Sequence, residues 1–479
     1  MSSEFSFSRR RDGSYRVDSY DGPSFSISIP SEYEGHPVTA IADNAFSWSS
    51  VRNVTIPVSI TQIGEAAFSW CESLLSIDIP DTVRTIGEWA FIGCSSLKSV
   101  HLPDGLRKIN YSTFQSCSSL TSIEIPETVR QIGPEAFSEC RSLKSIRLSE
   151  SLTSIGDNAF SSCDSLTEIN FPKQLVELGN NVFSGCTSLS AFNISPENSV
   201  FLELNGALIN KRERRLIYYP FCKREKHYEI PDCVQIVAEE AFANRIHLEE
   251  IVIPDSVTQL EPKAFYGCRG LKHITIPNTV KRVGSSAFHS CSGLKSVILD
   301  ARLLAIEYSV FYACSNLEFI RIPDTVRIIS PCAFSGCSSL EEITLPDGLI
   351  DIGDSAFEGC RSLISITLPD SFETLGAHAF GSCVMLDSVV LAGKIKTIPA
   401  QAFARCENLN QVIIPEGVEE IKSEAFEGCE NLLTLQLPST ITDMEPDAFS
   451  DCRHLMLFVL PDSYACNYAQ DHGILFSEV

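Results

Sequence analysis

A phenylalanine recurs along this chain at an almost fixed interval, and this repeat constrains the fold more than any other feature. Seventeen of the 28 Phe residues belong to the series, which steps by 22 residues at its start, by 59 in the middle and by 23 elsewhere. The series comprises Phe46, Phe68, Phe91, Phe114, Phe137, Phe160, Phe183, Phe242, Phe265, Phe288, Phe311, Phe334, Phe357, Phe380, Phe403, Phe426 and Phe449. Although 479 residues would suggest about three globular domains, so regular a repeat indicates a stacked array.

The residues around each Phe repeat as well. The unit reads I-x-I-P-x-x-V-x-x-I-G-x-x-A-F-x-x-C-x-S-L-x-x and is nearly complete in residues 77–97. In one copy Ile123 and Ile125 alternate with polar residues, which is the pattern of a short strand with one buried face. Pro126 ends that strand because it cannot donate to a β-ladder, and the later apolar residues fold back beneath it. No copy can bury its own apolar face, so the copies must stack on one another.

We therefore predict a leucine-rich repeat solenoid, because this period and this spacing of aliphatic residues are typical of that class. We expect a β-strand-rich, curved array of repeats with N- and C-terminal caps and a β-hairpin insertion. The predicted boundaries are an N-terminal β cap at 1–40, repeats at 41–190, the insertion at 191–230, repeats at 231–461 and a C-terminal cap at 462–479. The insertion accounts for the long step, and Asn205-Gly206 within it is a strong hairpin signal.

The unit IPxxVxxIGxxAFxxCxSLxxIxIP closely resembles that of the BspA-like leucine-rich repeat family, and the match extends over nearly the whole chain. The segments NGALINKRERRLIYYP and SYACNYAQDHGILF are similar to a hairpin and a C-terminal ending of family members. The resemblance implies a protein-binding function, commonly that of a cell-surface adhesin of bacteria and protists.

Composition argues against two classes of partner. The chain has 61 Asp or Glu against 37 Lys or Arg, a formal net charge of −24, which disfavours binding to nucleic acid and to anionic membranes. Polar residues follow Arg9, Arg10 and Arg11 in place of the apolar core of a signal peptide, and no apolar run is long enough to span a bilayer. We expect a cytoplasmic protein without membrane insertion, with a surface-exposed or secreted protein exported by another route as the alternative.

Fifteen of the 19 cysteines follow the repeat Phe by three residues. One interpretation is a small buried residue at a tight corner, since free cysteine is among the most buried residue types. Stacked cysteines could also form disulfides or hold a metal, but no Cys-x-x-Cys occurs and the total is odd. We expect free thiols and therefore a reducing compartment.

One side of the predicted strands, which we call the open face, should be available to a protein partner. In the first block of repeats one position of this face holds Asp78, His101, Glu124 and Arg147. In the second block the candidates are Ile298, Phe319, Arg321, Val390, Ile413 and Leu457. Alternating charges favour a solvated ladder on paired strands. Exposed apolar residues favour a contact surface, although ordinary β-propensity is an alternative reason for Val and Ile.

Catalysis is the other function that this row suggests, because Ser99 lies two residues before His101 and acids occupy the neighbouring coils. A catalytic triad also needs hydrogen-bond geometry, an oxyanion hole and a pocket, which a strand ladder does not supply. The nine His residues show no metal-ligand spacing, and no Gly-rich phosphate loop occurs. We predict a non-catalytic protein-binding scaffold without cofactor or metal, with an adhesin and a hydrolase-like site around His101 as the alternatives.

The insertion reverses the charge of the rest of the chain. Residues 211–227 contain seven Lys or Arg against two Glu. The basic residues are Lys211, Arg212, Arg214, Arg215, Lys223, Arg224 and Lys226. A basic hairpin tip would bind an acidic partner or the acidic flank of a second copy. The alternative is a charged turn that keeps an exposed edge soluble.

Overall fold

The computed structural model describes residues 4–391 and 394–479, which form two compact units. The first unit extends to residue 213 and includes 217–223, and the second contains 214–216 and the residues from 224 onward. Each unit is a stack of coils, which confirms the predicted leucine-rich repeat solenoid. A typical coil has a front strand of three or four residues and a rear strand of two, and equivalent strands of successive coils pair in parallel.

The first unit begins with two antiparallel pairs, Phe5–Arg9 with Tyr15–Tyr20 and Glu32–Tyr33 with His36–Ile41. Its front strands are Ser26–Ser28, Asn53–Thr55, Ser76–Asp78, Ser99–His101, Ser122–Glu124, Ser145–Arg147, Glu168–Phe171 and Ala191–Ile194. Its rear strands are Gln62–Ile63, Thr85–Ile86, Lys108–Ile109, Gln131–Ile132, Ser154–Ile155 and Glu177–Leu178. Because the strand at 26–28 already pairs in parallel with that at 53–55, the coils begin within the segment predicted as a cap.

The hairpin predicted in the insertion is present. Phe201–Leu204 pairs antiparallel with Ala207–Asn210, and both residues between them have left-handed backbone, with φ of 53° at Asn205 and 88° at Gly206. Such a pair of positive φ values is what a two-residue hairpin turn requires. The strand Ala191–Ile194 still pairs with the preceding front strand, so the insertion begins later than residue 191. The strand Arg215–Tyr218 follows the hairpin.

The second unit repeats the same pattern. Its front strands are His227–Glu229, Glu250–Val252, His273–Ile276, Ser296–Leu299, Phe319–Arg321, Ser365–Thr367, Ser388–Val390, Gln411–Ile413, Thr434–Gln436 and Met456–Val459. Its rear strands are Ile236–Val237, Gln259–Leu260, Arg282–Val283, Ala305–Ile306, Ile328–Ile329, Asp351–Ile352, Thr374–Leu375, Thr397–Ile398, Glu420–Ile421 and Asp443–Met444.

The C-terminal cap contains an α-helix, Tyr464–His472. The Ser463 hydroxyl accepts a hydrogen bond from the Cys466 amide at the start of this helix, and Gly473 ends it with a φ of 66°, the usual residue types for these two positions. The strand Leu475–Glu478 then pairs in parallel with the last front strand. No helix in the described part of the chain has the length and apolar character needed to cross a bilayer.

The repeat Phe rings form the centre of each unit. All are at most 7% exposed, and consecutive rings stack nearly in parallel. Centroid separations are 4.8–6.1 Å in the first unit and 5.1–5.7 Å in the second, with the planes within 16° of each other. Each ring therefore packs mainly on its neighbours along the stack, as in other repeat proteins.

The cysteine ladder lies beside the Phe stack. Each of the fifteen repeat thiols donates a hydrogen bond to the carbonyl oxygen of the repeat Phe in the preceding coil, with S···O distances of 2.9–3.3 Å. All but Cys452 are buried. Burial raises the pKa of Cys140, Cys314 and Cys360 to about 12. The repeat cysteines are therefore small buried residues at a corner of each coil, as in the first of the two interpretations of the cysteine pattern.

Candidate functional site

The front strands form the open face by exposing alternate residues. In the strand Ser122–Glu124, for example, Ile123 is buried and the residues on either side are exposed. This alternation arises because successive side chains of a strand point to opposite faces. Since neighbouring front strands pair in register, equivalent exposed residues lie side by side about 4.8 Å apart.

In the first unit the open face is a row of charged side chains. Asp78 lies beside His101, and Glu124 lies beside Arg147. The Arg147 guanidinium forms an ion pair with Glu124, and both side chains are more than two-thirds exposed. His101 Nε2 lies 3.8 Å from Asp81 Oδ1. Exposed pairs of this kind contribute about 0–1 kcal/mol each, so the row is a solvated ladder, as the alternating charges favour.

The same row does not assemble a catalytic triad. Ser99 lies beside Ser76 in the paired strands, and His101 pairs with the Asp81 carboxylate rather than with a serine hydroxyl. Within residues 4–391 and 394–479, no group of three or more His, Cys, Asp or Glu has an arrangement that could hold a metal ion.

In the second unit the open face presents apolar side chains. Ile298, Phe319 and Ile413 are 47%, 56% and 50% exposed. Ile298 lies beside Arg321, and Ile413 lies beside the half-buried Val390. The structure therefore places five of the six candidates of this block on the predicted face. Exposed apolar residues grouped in this way often mark a contact surface.

Leu457 was predicted on the open face but is fully buried. The cause is a shorter last coil, since Leu457 follows Cys452 by five residues whereas the equivalent Leu435 follows Cys429 by six. A shift of one residue in a strand reverses the face to which each side chain points. Met456, which pairs with Thr434, takes the exposed position instead.

A groove of about 920 Å³ lies on the open face of the second unit, at a place where no site was predicted from the sequence. Its lining includes Glu249, Glu250, Lys272 and His273. Hydrogen bonds from Lys226, at 2.7 Å, and from Lys272 lower the pKa of Glu249 to about 2. The groove is thus edged by an ion-pair ladder. Its signal in the sequence is the recurrence of charged residues directly before successive front strands.

The two histidines of this region bond to neighbouring strands. His227 Nδ1 lies 3.2 Å from Glu250 Oε2, and His273 Nδ1 lies 2.8 Å from Ser296 Oγ. Glu250 is paired with His227 on one side and with His273 on the other. In the next front strand Phe319 occupies the same position and pairs with Ser296, so this polar row adjoins Phe319.

The basic residues of the insertion do not form the predicted hairpin tip, because Asn205 and Gly206 occupy that tip. Lys211 Nζ donates to the Asn198 carbonyl at 2.7 Å. Arg215 is only 22% exposed in its side chain and forms a two-bond ion pair with Glu261, at 2.7 and 2.6 Å. Of the basic candidates, Lys211, Arg212 and Lys223 belong to the first unit, whereas Arg214, Arg215 and Arg224 belong to the second.

The sequence matches a family model described as a BspA type leucine rich repeat region of six copies. The matched residues are 39–133, 108–203, 217–341 and 328–456. No curated protein matches the chain in sequence.

Solved structures of bacterial proteins are similar to the chain. A leucine-rich repeat protein from Bacteroides ovatus is 30% identical over 86% of this chain and 99% of that one, with a TM-score of 0.55. A leucine rich cell surface protein from Faecalibacterium prausnitzii is 26% identical over 86% of this chain and 93% of that one, with a TM-score of 0.57. A leucine-rich repeat protein from Eubacterium ventriosum shares the fold; it is 24% identical over 80% of this chain and 93% of that one, with a TM-score of 0.54.

Proposed function

Because the chain belongs to the BspA-type leucine-rich repeat family, we propose that it is a protein-binding scaffold without catalytic activity that contacts its partner through the open face of the second unit. The observation that carries this proposal is the exposure of Ile298, Phe319 and Ile413 to about half of their surface on front strands whose central residues are buried.

The chemistry of this surface suits a protein partner. Phe319 and Arg321 lie on the same side of one strand, and Ile298 lies beside Arg321. Aromatic and arginine side chains are enriched among the residues that dominate binding energy in protein interfaces. Solenoid proteins also commonly bind through their extended strand surfaces.

The absence of catalytic activity is supported by the geometry around His101. Its side chain is 60% exposed, and the Asp81 carboxylate that pairs with it is 65% exposed. A general base needs a hydrogen bond to the group that it activates, and among the described residues His101 pairs with Asp81 and not with a serine hydroxyl. A purified sample that hydrolyses ester or peptide substrates, and loses the activity in His101→Ala, would contradict this part of the proposal.

A cell-surface adhesin is the second candidate, favoured by the F. prausnitzii structure, whose protein is described as a cell surface protein. We propose a cytoplasmic location instead, because the 19 cysteines are free and mostly buried as thiols, and thiols persist in reducing compartments. Fractionation of the source cells separates the two candidates. Protein in the soluble lysate with 19 titratable thiols supports the cytoplasmic scaffold, and protease-accessible protein on intact cells supports the adhesin.

The binding surface itself is tested by affinity capture from the source-cell lysate. The open-face variant combines Ile298→Asp, Phe319→Asp and Ile413→Asp. A matched control combines Leu304→Asp, Ile328→Asp and Ile350→Asp, which are exposed apolar residues of the same unit outside the front strands. We expect a protein that wild type and the control retain and the open-face variant loses. Equal retention by all three would refute the assignment of the surface.

A further inference from the structure

Two tryptophans of the first unit form a stack on the surface, outside the front strands. The Trp48 and Trp70 rings are 5.3 Å apart with an angle of 8° between their planes, and the residues are 70% and 38% exposed. Trp70 lies against the next coil at Gly93, where an added Cβ would come within 2.5 Å of the Trp70 ring. In the part of the chain that the structure describes, no further ring stacks on Trp48.

The fold does not explain why tryptophan occupies these positions. Both residues have left-handed backbone, with φ of 63° at Trp48 and 56° at Trp70, a conformation that is costly for bulky residues. The position lies two residues after the repeat Phe. In six other coils it holds glycine, and in the remaining nine it holds Ser, Glu, Asn, Ala, Arg or Asp with the same left-handed backbone. The fold therefore sets the backbone of this turn and accepts many side chains there, so the exposed ring of Trp48 is available for a contact outside the core.

The turns that carry the tryptophans are acidic. Residues 43–50, 64–73 and 87–96 contain Asp43, Glu65, Glu72 and Glu88 but no Lys or Arg, and all four carboxylates are exposed. Successive turns are joined directly, since the Glu65 amide donates to Asp43 Oδ1 at 2.8 Å. Aromatic faces thus lie among turns of uniformly negative charge, on a chain whose net charge is −24.

We propose that the Trp48–Trp70 stack and these carboxylates form a binding site for arginine side chains presented by a basic segment of a partner protein. A guanidinium group is planar and stacks on an indole face, where it also gains a cation–π attraction. The surrounding carboxylates attract the positive charge and exclude acidic partners. This site lies outside the open face and is additional to the binding surface proposed above.

The test uses the full-length protein and a fluorescein-labelled peptide of alternating Arg and Gly, with Asp-Gly as the negative control. Binding is measured by fluorescence anisotropy for wild type, Trp48→Ser and the charge variant Glu65→Gln/Glu72→Gln/Glu88→Gln. Tyr308→Ser serves as the matched control, because it removes an aromatic residue that is 53% exposed in the second unit. Two measurements check that Trp48→Ser removes only the stack. The far-ultraviolet circular-dichroism band of the coupled indoles should disappear, and the thermal unfolding midpoint should not change.

We expect the Arg-Gly peptide to bind wild type and Tyr308→Ser equally, and Trp48→Ser about 5- to 30-fold more weakly. The charge variant should bind more weakly and lose most of its dependence on salt. An Arg-Gly affinity that is absent in wild type or unchanged in Trp48→Ser overturns the proposal. Binding of neutral oligosaccharides or of proline-rich peptides that depends on Trp48, without binding of the Arg-Gly peptide, would assign the stack to those ligands instead. The open-face variants alter a different surface, so a failure of the open-face proposal would not change the outcome of this binding test.

Discussion

The buried stack of phenylalanine rings predicts a steep loss of stability when one ring is removed. Phe137 is fully buried, and its ring centroid lies 5.5 Å from that of Phe114 and 5.6 Å from that of Phe160, with the planes within 7°. The substitution Phe137→Ala therefore removes a complete core side chain and both of its stacking contacts.

The expected magnitude follows from these contacts. Replacing a fully buried phenylalanine by alanine costs about 3–5 kcal/mol of unfolding free energy. Phe137→Leu keeps most of the apolar burial but loses two ring pairs, each worth about 0.5–1.5 kcal/mol, so a loss of about 1–3 kcal/mol is expected. Phe319→Ala is the control, because Phe319 is 56% exposed and surface substitutions usually change stability by less than about 0.5 kcal/mol.

The assay is urea unfolding combined with native-state hydrogen exchange resolved by mass spectrometry. Hydrogen exchange is included because repeat arrays need not unfold as a single two-state unit. It also reports the stability of individual coils, each of which depends most on its neighbours. Protection should fall first in the coils that contain residues 114, 137 and 160. If Phe137→Ala costs less than about 1 kcal/mol, or no more than Phe319→Ala, the ring stack is not the core that stabilises the unit.

Further predictions concern the partly buried Arg215–Glu261 ion pair and the thiols. Glu261→Ala removes both hydrogen bonds to Arg215 and should cost about 1.5–3 kcal/mol of unfolding free energy, measured by urea unfolding. Glu373→Ala, at the exposed pair with Lys394, should cost at most about 1 kcal/mol. Equal losses would contradict a stronger contribution from the partly buried pair. A thiol reagent added to native protein should label the exposed Cys233 long before the buried ladder, and comparable rates across all sites would contradict the ladder's burial. Stability should also fall as the pH rises. Burial raises the pKa of Cys140, Cys314 and Cys360 from 9.0 to about 12, so above pH 9 the unfolded state loses protons that the folded state retains. The urea midpoint should therefore hold steady below pH 9 and decline between pH 9 and 12, and a midpoint that rises across this window would contradict the thiol burial.

The repeat could be read from the sequence because its period sets which residues meet in successive coils. The 23-residue step placed Phe114 and Phe137 in one stack, and the alternation at Ile123 identified the front strands. The Asn205-Gly206 pair identified the hairpin turn because few other dipeptides accept two left-handed residues.

Other features depend on distances that a periodic pattern does not contain. Arg215 pairs with Glu261, 46 residues further along the chain, so the local excess of basic residues did not show that this charge was neutralised. Leu457 was misplaced because one residue is missing from the last coil, which a fixed period overlooks. The exposure of Trp48 depends on the backbone conformation of its turn, to which apolar periodicity is insensitive.

The central claim is that the open face of the second unit contacts a protein partner. Site-specific photo-crosslinking tests it most directly, with benzoylphenylalanine placed at position 319 in one sample and at position 304 in another. Both native residues are exposed, at 56% for Phe319 and 73% for Leu304, but only Phe319 lies on a front strand. Irradiation in source cells should yield a discrete protein adduct from position 319 and none from position 304. An adduct from position 304 alone would place the partner on another surface and contradict the account.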